Sequence, residues 1–154
     1  MQRSLTFLQN HSKNASQVFP LLCPVREKDW LNGWDFTMIH SISGSVEAGC
    51  VFSTQHHDED ITLWEVCHYD ADNHEVGFVR FTPNKNVVQI NIAVSNEKSE
   101  EEKSISTITY VFTPLTNAEE EIMNTTFEQE FTQNMIWWEK AINHYLTTGQ
   151  MLKK

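Results

Sequence analysis

Apolar side chains recur at steps of three and four toward the C-terminus: Phe127, Phe131, Met135, Trp138, Ile142 and Tyr145. That period places them on one stripe of an amphipathic helix. The pattern predicts a single long helix from Asn117 to Lys153. Asn117 with Glu120 three residues later resembles a capping box, and Glu119 and Glu121 suit the positive end of the helix dipole. Gly149, with Lys153 and Lys154 beyond it, signals the close. At about 1.5 Å per residue this helix would run on the order of 45 Å, longer than a small domain needs for simple packing.

Upstream the period changes to two. Strands are predicted at Leu5–Gln9, Phe36–Ile42, Cys50–Gln55, Ile61–Tyr69, Glu75–Thr82, Val87–Ser95 and Ser104–Thr113. The alternation is cleanest where Val88, Ile90, Ile92 and Val94 share one face and Gln89, Asn91 and Ala93 the other. Polar turns separate the strands: His56 to Asp60, Asp70 to Asn73, Pro83-Asn84 and the charged run Glu97 to Lys103. Connections this short imply an antiparallel meander, since parallel strands need crossovers. Between the first two strands, Ser16 can cap a short helix carrying Val18, Phe19 and Leu22, and Pro20 is tolerable only in its first turn. Pro24 restarts the chain, and Val25 to Leu31 forms a second short helix closed by Asn32-Gly33. The predicted fold class is α+β. A curved antiparallel sheet of about seven strands wraps around one long C-terminal helix, with two short helices after the first strand. A sheet closed over a single helix encloses a cavity where a layered core would be solid.

The length, 154 residues, fits one domain spanning 1–154, enough to bury roughly two thirds of the unfolded surface. Eleven basic against 21 acidic side chains give a net charge of −10. That excess disfavours nucleic acid, whose binding needs clustered cations, and disfavours anionic membrane surfaces. Three cysteines without CxxC spacing suit a reduced, cytoplasmic setting. No apolar leader opens the chain and no stretch is long enough to insert in a membrane. No glycine-rich phosphate loop is present, so no nucleotide cofactor is expected.

The segments VFPLLCPVREKDWLNGW, GCVFSTQ, TLWEV and VRFTP, set in this order of elements, resemble small uncharacterised bacterial members of the START-like, or SRPBCC, superfamily. The resemblance covers essentially the whole chain, in element order more than in motif. It implies the helix-grip fold and an elongated hydrophobic cavity between the concave sheet and the long helix. Lipid carriers, polyketide cyclases and chaperone activators all occur in that superfamily, so the fold alone does not choose among them.

Period-two facing gathers a candidate cavity lining: Phe36, Met38 and His40 from one strand, Trp64, Val66 and His68 from another. Arg80, Tyr110 and Phe112 join them from further strands, and Phe131, Met135 and Trp138 from the helix. An apolar wall with a few polar tips is the composition of a small-molecule site. The expected ligand is a small hydrophobic molecule, lipid-like or polycyclic, oriented by His40, His68, Arg80 and Tyr110. Were the site catalytic, His40 or His68 would serve as base and Tyr110 as donor to a developing enolate. A third possibility is an interaction module acting through its outer surface. The run His56-His57-Asp58-Glu59-Asp60 holds five potential metal ligands, but consecutive turn residues point apart and no metal site is expected there. Cys23, Cys50 and Cys67 read as buried thiols, and Cys67 and His68, adjacent on a strand, should face opposite sides. Leu5–Gln9 and Ser104–Thr113 are the candidate edge strands through which a homodimer could form.

Overall fold

The computed structural model describes residues 1–55 and 60–154. Seven strands form one antiparallel sheet: β1 (Arg3–His11), β2 (Thr37–His40), β3 (Val51–Thr54), β4 (Thr62–Asp70), β5 (Glu75–Thr82), β6 (Asn86–Asn96) and β7 (Ser104–Pro114). Their order is β1-β7-β6-β5-β4-β3-β2, a meander from β2 to β7 with the first strand added beside the last. Two short helices, α1 (Ala15–Val18) and α2 (Pro24–Trp30), fill the excursion between β1 and β2. Of the turn His56 to Asp60, only Asp60 falls within the described residues, where its carboxylate pairs with Lys85 Nζ at 3.3 Å. Among the described residues no group of three or more His, Cys, Asp or Glu could hold a metal ion. No helix among them is long and apolar enough to cross a membrane.

The sheet curves because its concave face carries the large apolar side chains. Val88, Ile90, Ile92 and Val94 of β6 are all buried, as are Ile108, Tyr110 and Phe112 of β7, while Gln89 and Asn91 are exposed. Against this face lies the C-terminal helical segment, which differs from the predicted single helix in three ways. It starts from Thr116, whose hydroxyl oxygen accepts from Glu119 N at 3.2 Å, so Asn117 is already helical. It breaks into α3 (Asn117–Thr125) and α4 (Phe127–Thr148) at Thr126. And it ends at Gly149, in the left-handed conformation with φ 72°, ahead of the predicted Lys153.

The break has a local cause. Thr125 and Thr126 are β-branched, with low helix propensity, and Thr125 Oγ1 donates back to Glu121 O at 2.7 Å. Arg3 of β1 fixes the kink by donating to Met123 O at 3.1 Å and pairing with Glu128 on the first turn of α4. The remaining 22-residue α4 spans about 33 Å and keeps the predicted stripe. Phe127, Phe131, Met135 and Ile142 are buried on it, and Trp138 and Tyr145 partly so.

The first short helix also begins two residues earlier than predicted: Asn14 Oδ1, and not Ser16, accepts from Gln17 N at 3.1 Å. Pro24 occupies the first turn of α2, where its missing N–H costs nothing.

Ser104–Thr113 is not an edge. It lies between β1 and β6, paired on both sides, so it cannot join two subunits. The true edges are β1 and the short β2. Helix α4 covers the free side of β1: Asn10 N donates to Glu139 Oε2 at 2.8 Å, and Asn143 Nδ2 donates to Asn10 O at 2.8 Å.

Candidate functional site

Three aromatic side chains position the site. Trp30 of α2 is 1% exposed, donates Nε1–H to Leu21 O at 2.9 Å, and meets Trp138 of α4 edge to face at 6.1 Å. Trp34, just past α2, donates to Pro24 O at 2.9 Å and sets its ring edge-on to Trp64 of β4 at 6.0 Å. Trp64 in turn stacks on Phe52 of β3 at 5.4 Å and donates to Thr54 Oγ1 at 3.0 Å. The two short helices thereby plug one end of the concave sheet, and α4 spans the other side. Between them a cleft of about 340 Å³ remains open.

Its wall is aromatic (Trp34, Trp64, Tyr110, Trp137, Trp138) and its rim polar (Asn32, Thr54, Thr62, Thr82, Asn86, Asn134). Thr62 and Thr82 share a hydroxyl–hydroxyl hydrogen bond of 2.8 Å across the rim. Arg80 of β5 projects into the cleft. Its guanidinium lies 5.6 Å from the Trp64 ring centre and 5.7 Å from that of Tyr110. Stacking on two rings holds the cation by cation–π attraction. No carboxylate among the described residues is within ion-pair distance of it. The cleft therefore presents a positioned cation that no carboxylate of the described residues pairs with.

Deeper in, a recess of about 20 Å³ shares Trp34, Trp64, Tyr110 and Trp138 with the cleft and ends on Glu27. Glu27 sits on α2 with 7% of its surface exposed, and its carboxyl group has no hydrogen-bond donor or cation beside it among the described residues. Burial without compensation raises its pKa from 4.5 to about 8. Near neutral pH it is therefore a carboxylic acid with a proton to donate. The Tyr110 phenol is pushed up by burial, pulled back by Arg80 and raised again by Glu27. A side recess of about 120 Å³ opens between Arg80, Tyr110 and Asn134 and reaches Phe127, Phe131 and Met135.

Of the predicted lining, the structure gathers Trp64, Arg80, Tyr110 and Trp138 around the cleft, and Phe131 and Met135 around the side recess. Val66 and Phe112 are buried packing: Val66 has no exposed surface, and Phe112 lies 4.6 Å from Phe127. Phe36 stacks on Trp34, and Met38 contacts the Cys50 thiol at 3.5 Å, so both back the aromatic wall without lining the cleft.

His40 and His68 lie elsewhere. The ladder slips between Met38 and His40, and again between Val66 and His68. Each β-bulge inverts the facing of the residues beyond it, which puts both imidazoles on the exposed convex face. His68 there meets Glu75 at 3.4 Å, and neither histidine can act on a molecule in the cleft. Cys67, next to the inward Val66, is exposed, and the slip brings His68 to the same side, against the expectation of a buried thiol facing the other way.

The residues missed by period-two reasoning are Glu27, Trp34, Asn134 and Trp137. For Glu27 the signal was present: it lies three residues from Pro24 and from Trp30, an acid on the apolar stripe of a short helix, and all three are buried.

A curved seven-stranded antiparallel sheet gripping a C-terminal helix, with two short helices closing one end, is a helix-grip fold. Solved structures share it across nearly the whole chain. Norcoclaurine synthase from Thalictrum flavum, in complex with dopamine and hydroxybenzaldehyde, is 10% identical with a TM-score of 0.70, over 96% of this chain and 87% of that one. The Zhui aromatase/cyclase from Streptomyces sp. R1128 is 10% identical with a TM-score of 0.67, over 99% and 100%. A hypothetical protein from Helicobacter pylori is 10% identical with a TM-score of 0.71, over 94% and 87%. No protein-family model and no curated protein matches the sequence.

Proposed function

We propose that this protein binds a small hydrophobic molecule non-covalently in the cleft between the concave sheet and α4. The observation that carries this reading is the aromatic cleft itself, with Trp34, Trp64, Tyr110 and Trp138 converging on open space inside the fold. Four large rings left partly unpacked keep apolar surface available for a ligand to cover, at roughly 25 cal/mol per Å² before association costs. The volume, about 340 Å³, is at the lower end of small-molecule sites. It suits a compact polycyclic molecule better than a two-chain lipid. The structural neighbours support the reading at the level of fold, since one of them was solved with small aromatic molecules bound.

An enzyme using His40 or His68 as base is disfavoured by their place on the convex face. An interaction module would need neither the cleft nor an inward cation. The test is native mass spectrometry of gently purified protein, followed by anilinonaphthalene sulfonate binding. A discrete extra mass lost on denaturation, or dye fluorescence that a bound polycyclic molecule displaces, is the expected result. A clean apo mass together with no binding of dye or polycyclic probes would overturn the reading.

A further inference from the structure

Among the polar groups lining the cavity, Arg80 and Glu27 differ most in kind. Arg80 lines the cleft, stacked and, among the described residues, without a carboxylate partner; Lys154, over the Trp137 ring, is a second cation on its lining. Glu27 closes the inner recess, which is only about 20 Å³ and accommodates one small atom group. Between them lies the Tyr110 ring, which lines both spaces and feels the charge of each. A buried carboxyl without a hydrogen-bond partner costs stability, so a fold that turns Glu27 to the recess, with the half-buried Arg80 in the adjoining cleft, suits a ligand that supplies their partners. Simple core packing does not account for Glu27, because an apolar side chain would fill its buried position more favourably.

We propose that the cavity takes a compact ring molecule bearing two poles: an anionic group held at Arg80 and a hydrogen-bond acceptor that enters the recess to meet Glu27. This deepens the hydrophobic-ligand reading and rests on it. The anion is a carboxylate or a group of the same geometry, which a planar guanidinium binds with paired N–H donors. The acceptor is a carbonyl or ether oxygen, small enough for the recess. Glu27 donates to it because the acid stays protonated near neutral pH. The titratable side chains acting around it are the Tyr110 phenol on β7 and the Cys23 thiol preceding α2, with Arg80 on β5 beyond the phenol. None supplies the proton acceptor that would ionise it.

The experiment uses four naphthalenes substituted at opposite ends of the ring system: an acetyl-naphthoic acid, an ethyl-naphthoic acid, an acetyl-ethyl-naphthalene and a diethyl-naphthalene. Their affinities for the full chain are read by calorimetry at neutral pH. The acid carrying both poles should bind about tenfold more tightly than either single-pole analogue, each tenfold step being about 1.4 kcal/mol. Arg80→Met should erase the preference for the carboxylate and leave the preference for the acetyl group. Glu27→Leu should do the reverse, and Glu27→Gln, which keeps an N–H donor, should retain the acetyl preference. Thermal melts on each variant confirm that it is folded. If all four compounds bind alike, or if the variants leave both preferences unchanged, the two-pole proposal is overturned while the hydrophobic-ligand reading stands. If no naphthalene binds at all, both fall together.

Discussion

Gly77 lies directly across the β4–β5 ladder from His68, where the sheet slips register. A methyl group built on it would stand 3.0 Å from Asn91 Oδ1, 3.3 Å from His68 Cβ and 3.4 Å from Cys67 Sγ. The bulge that brings His68 outward beside Cys67 thus takes up the space a side chain at position 77 would need. Gly77→Ala should be mild, below about 1 kcal/mol, because Asn91 can rotate away and the unfolded chain loses entropy. Gly77→Val adds branches that meet His68 and Cys67, and should destabilise by about 1–3 kcal/mol. Urea midpoints of the two variants check this, and equal midpoints would mean that the bulge does not depend on the glycine.

Two buried groups set opposite pH limbs. Glu27 has a folded pKa of about 8 against 4.5 for the free side chain. Between those values the unfolded chain has released a proton that the folded chain retains, so stability falls as pH rises and levels off above the upper value. His11 is 2% exposed and bonded to Ser106 Oγ through Nε2 at 2.7 Å, and burial lowers its pKa from 6.5 to about 4. Here the unfolded chain takes up a proton first, so stability falls as pH drops from 6.5 to about 4. Glu27→Gln should flatten the alkaline limb alone and His11→Asn the acid limb alone, measured as melting temperature against pH. Glu27→Leu should also raise the melting temperature at pH 8, since an uncompensated carboxyl leaves the interior.

The three cysteines divide by exposure. Cys23 and Cys50 are 2% and 0% exposed, while Cys67 stands on the convex face. A thiol reagent such as Ellman's should titrate one equivalent rapidly in the native protein and all three after denaturation. Protection of Cys67 in the native state would show that its thiol does not stand on the exposed convex face.

Arg3 joins the first strand to the kink between α3 and α4, through Met123 O and Glu128. The carbonyl it satisfies is partly buried, whereas Glu128 is largely solvated. Arg3→Ala should therefore cost about 1–2 kcal/mol and Glu128→Ala under about 0.5 kcal/mol, the difference reporting the bond to the kink. Equal losses, read from denaturant midpoints, would assign the effect to the ion pair.

Much of this architecture was legible because it rests on long periodic segments. The alternation in β6, the stripe Phe127 to Tyr145 and the paired short helices all survive in the structure. The helix break was only partly legible: the β-branched Thr125 and Thr126 mark it locally, while Arg3, more than a hundred residues away, fixes it. The site was half legible for the same reason. Trp64, Arg80, Tyr110 and Trp138 lie where unbroken periods place them, but His40 and His68 each come after a bulge that no local pattern announces. Glu27 went unread as part of the cavity because a charged residue on a short helix suggests solvent until the sheet that buries it is in place.

The pairing of β1 with β7 also has a consequence in time. Arg3 lies opposite Phe112 and His11 opposite Ser104, so the first strand to be synthesised is among the last to find its partner. At about 5–20 residues per second, a ribosome leaves β1 waiting on the order of 5–20 s before β7 exists to receive it. During that interval its alternating apolar residues, Leu5 and Phe7 among them, have neither ladder nor helix to shelter them. Of the strands in this sheet, β1 is thus the one whose ladder waits longest for its partner in chain order.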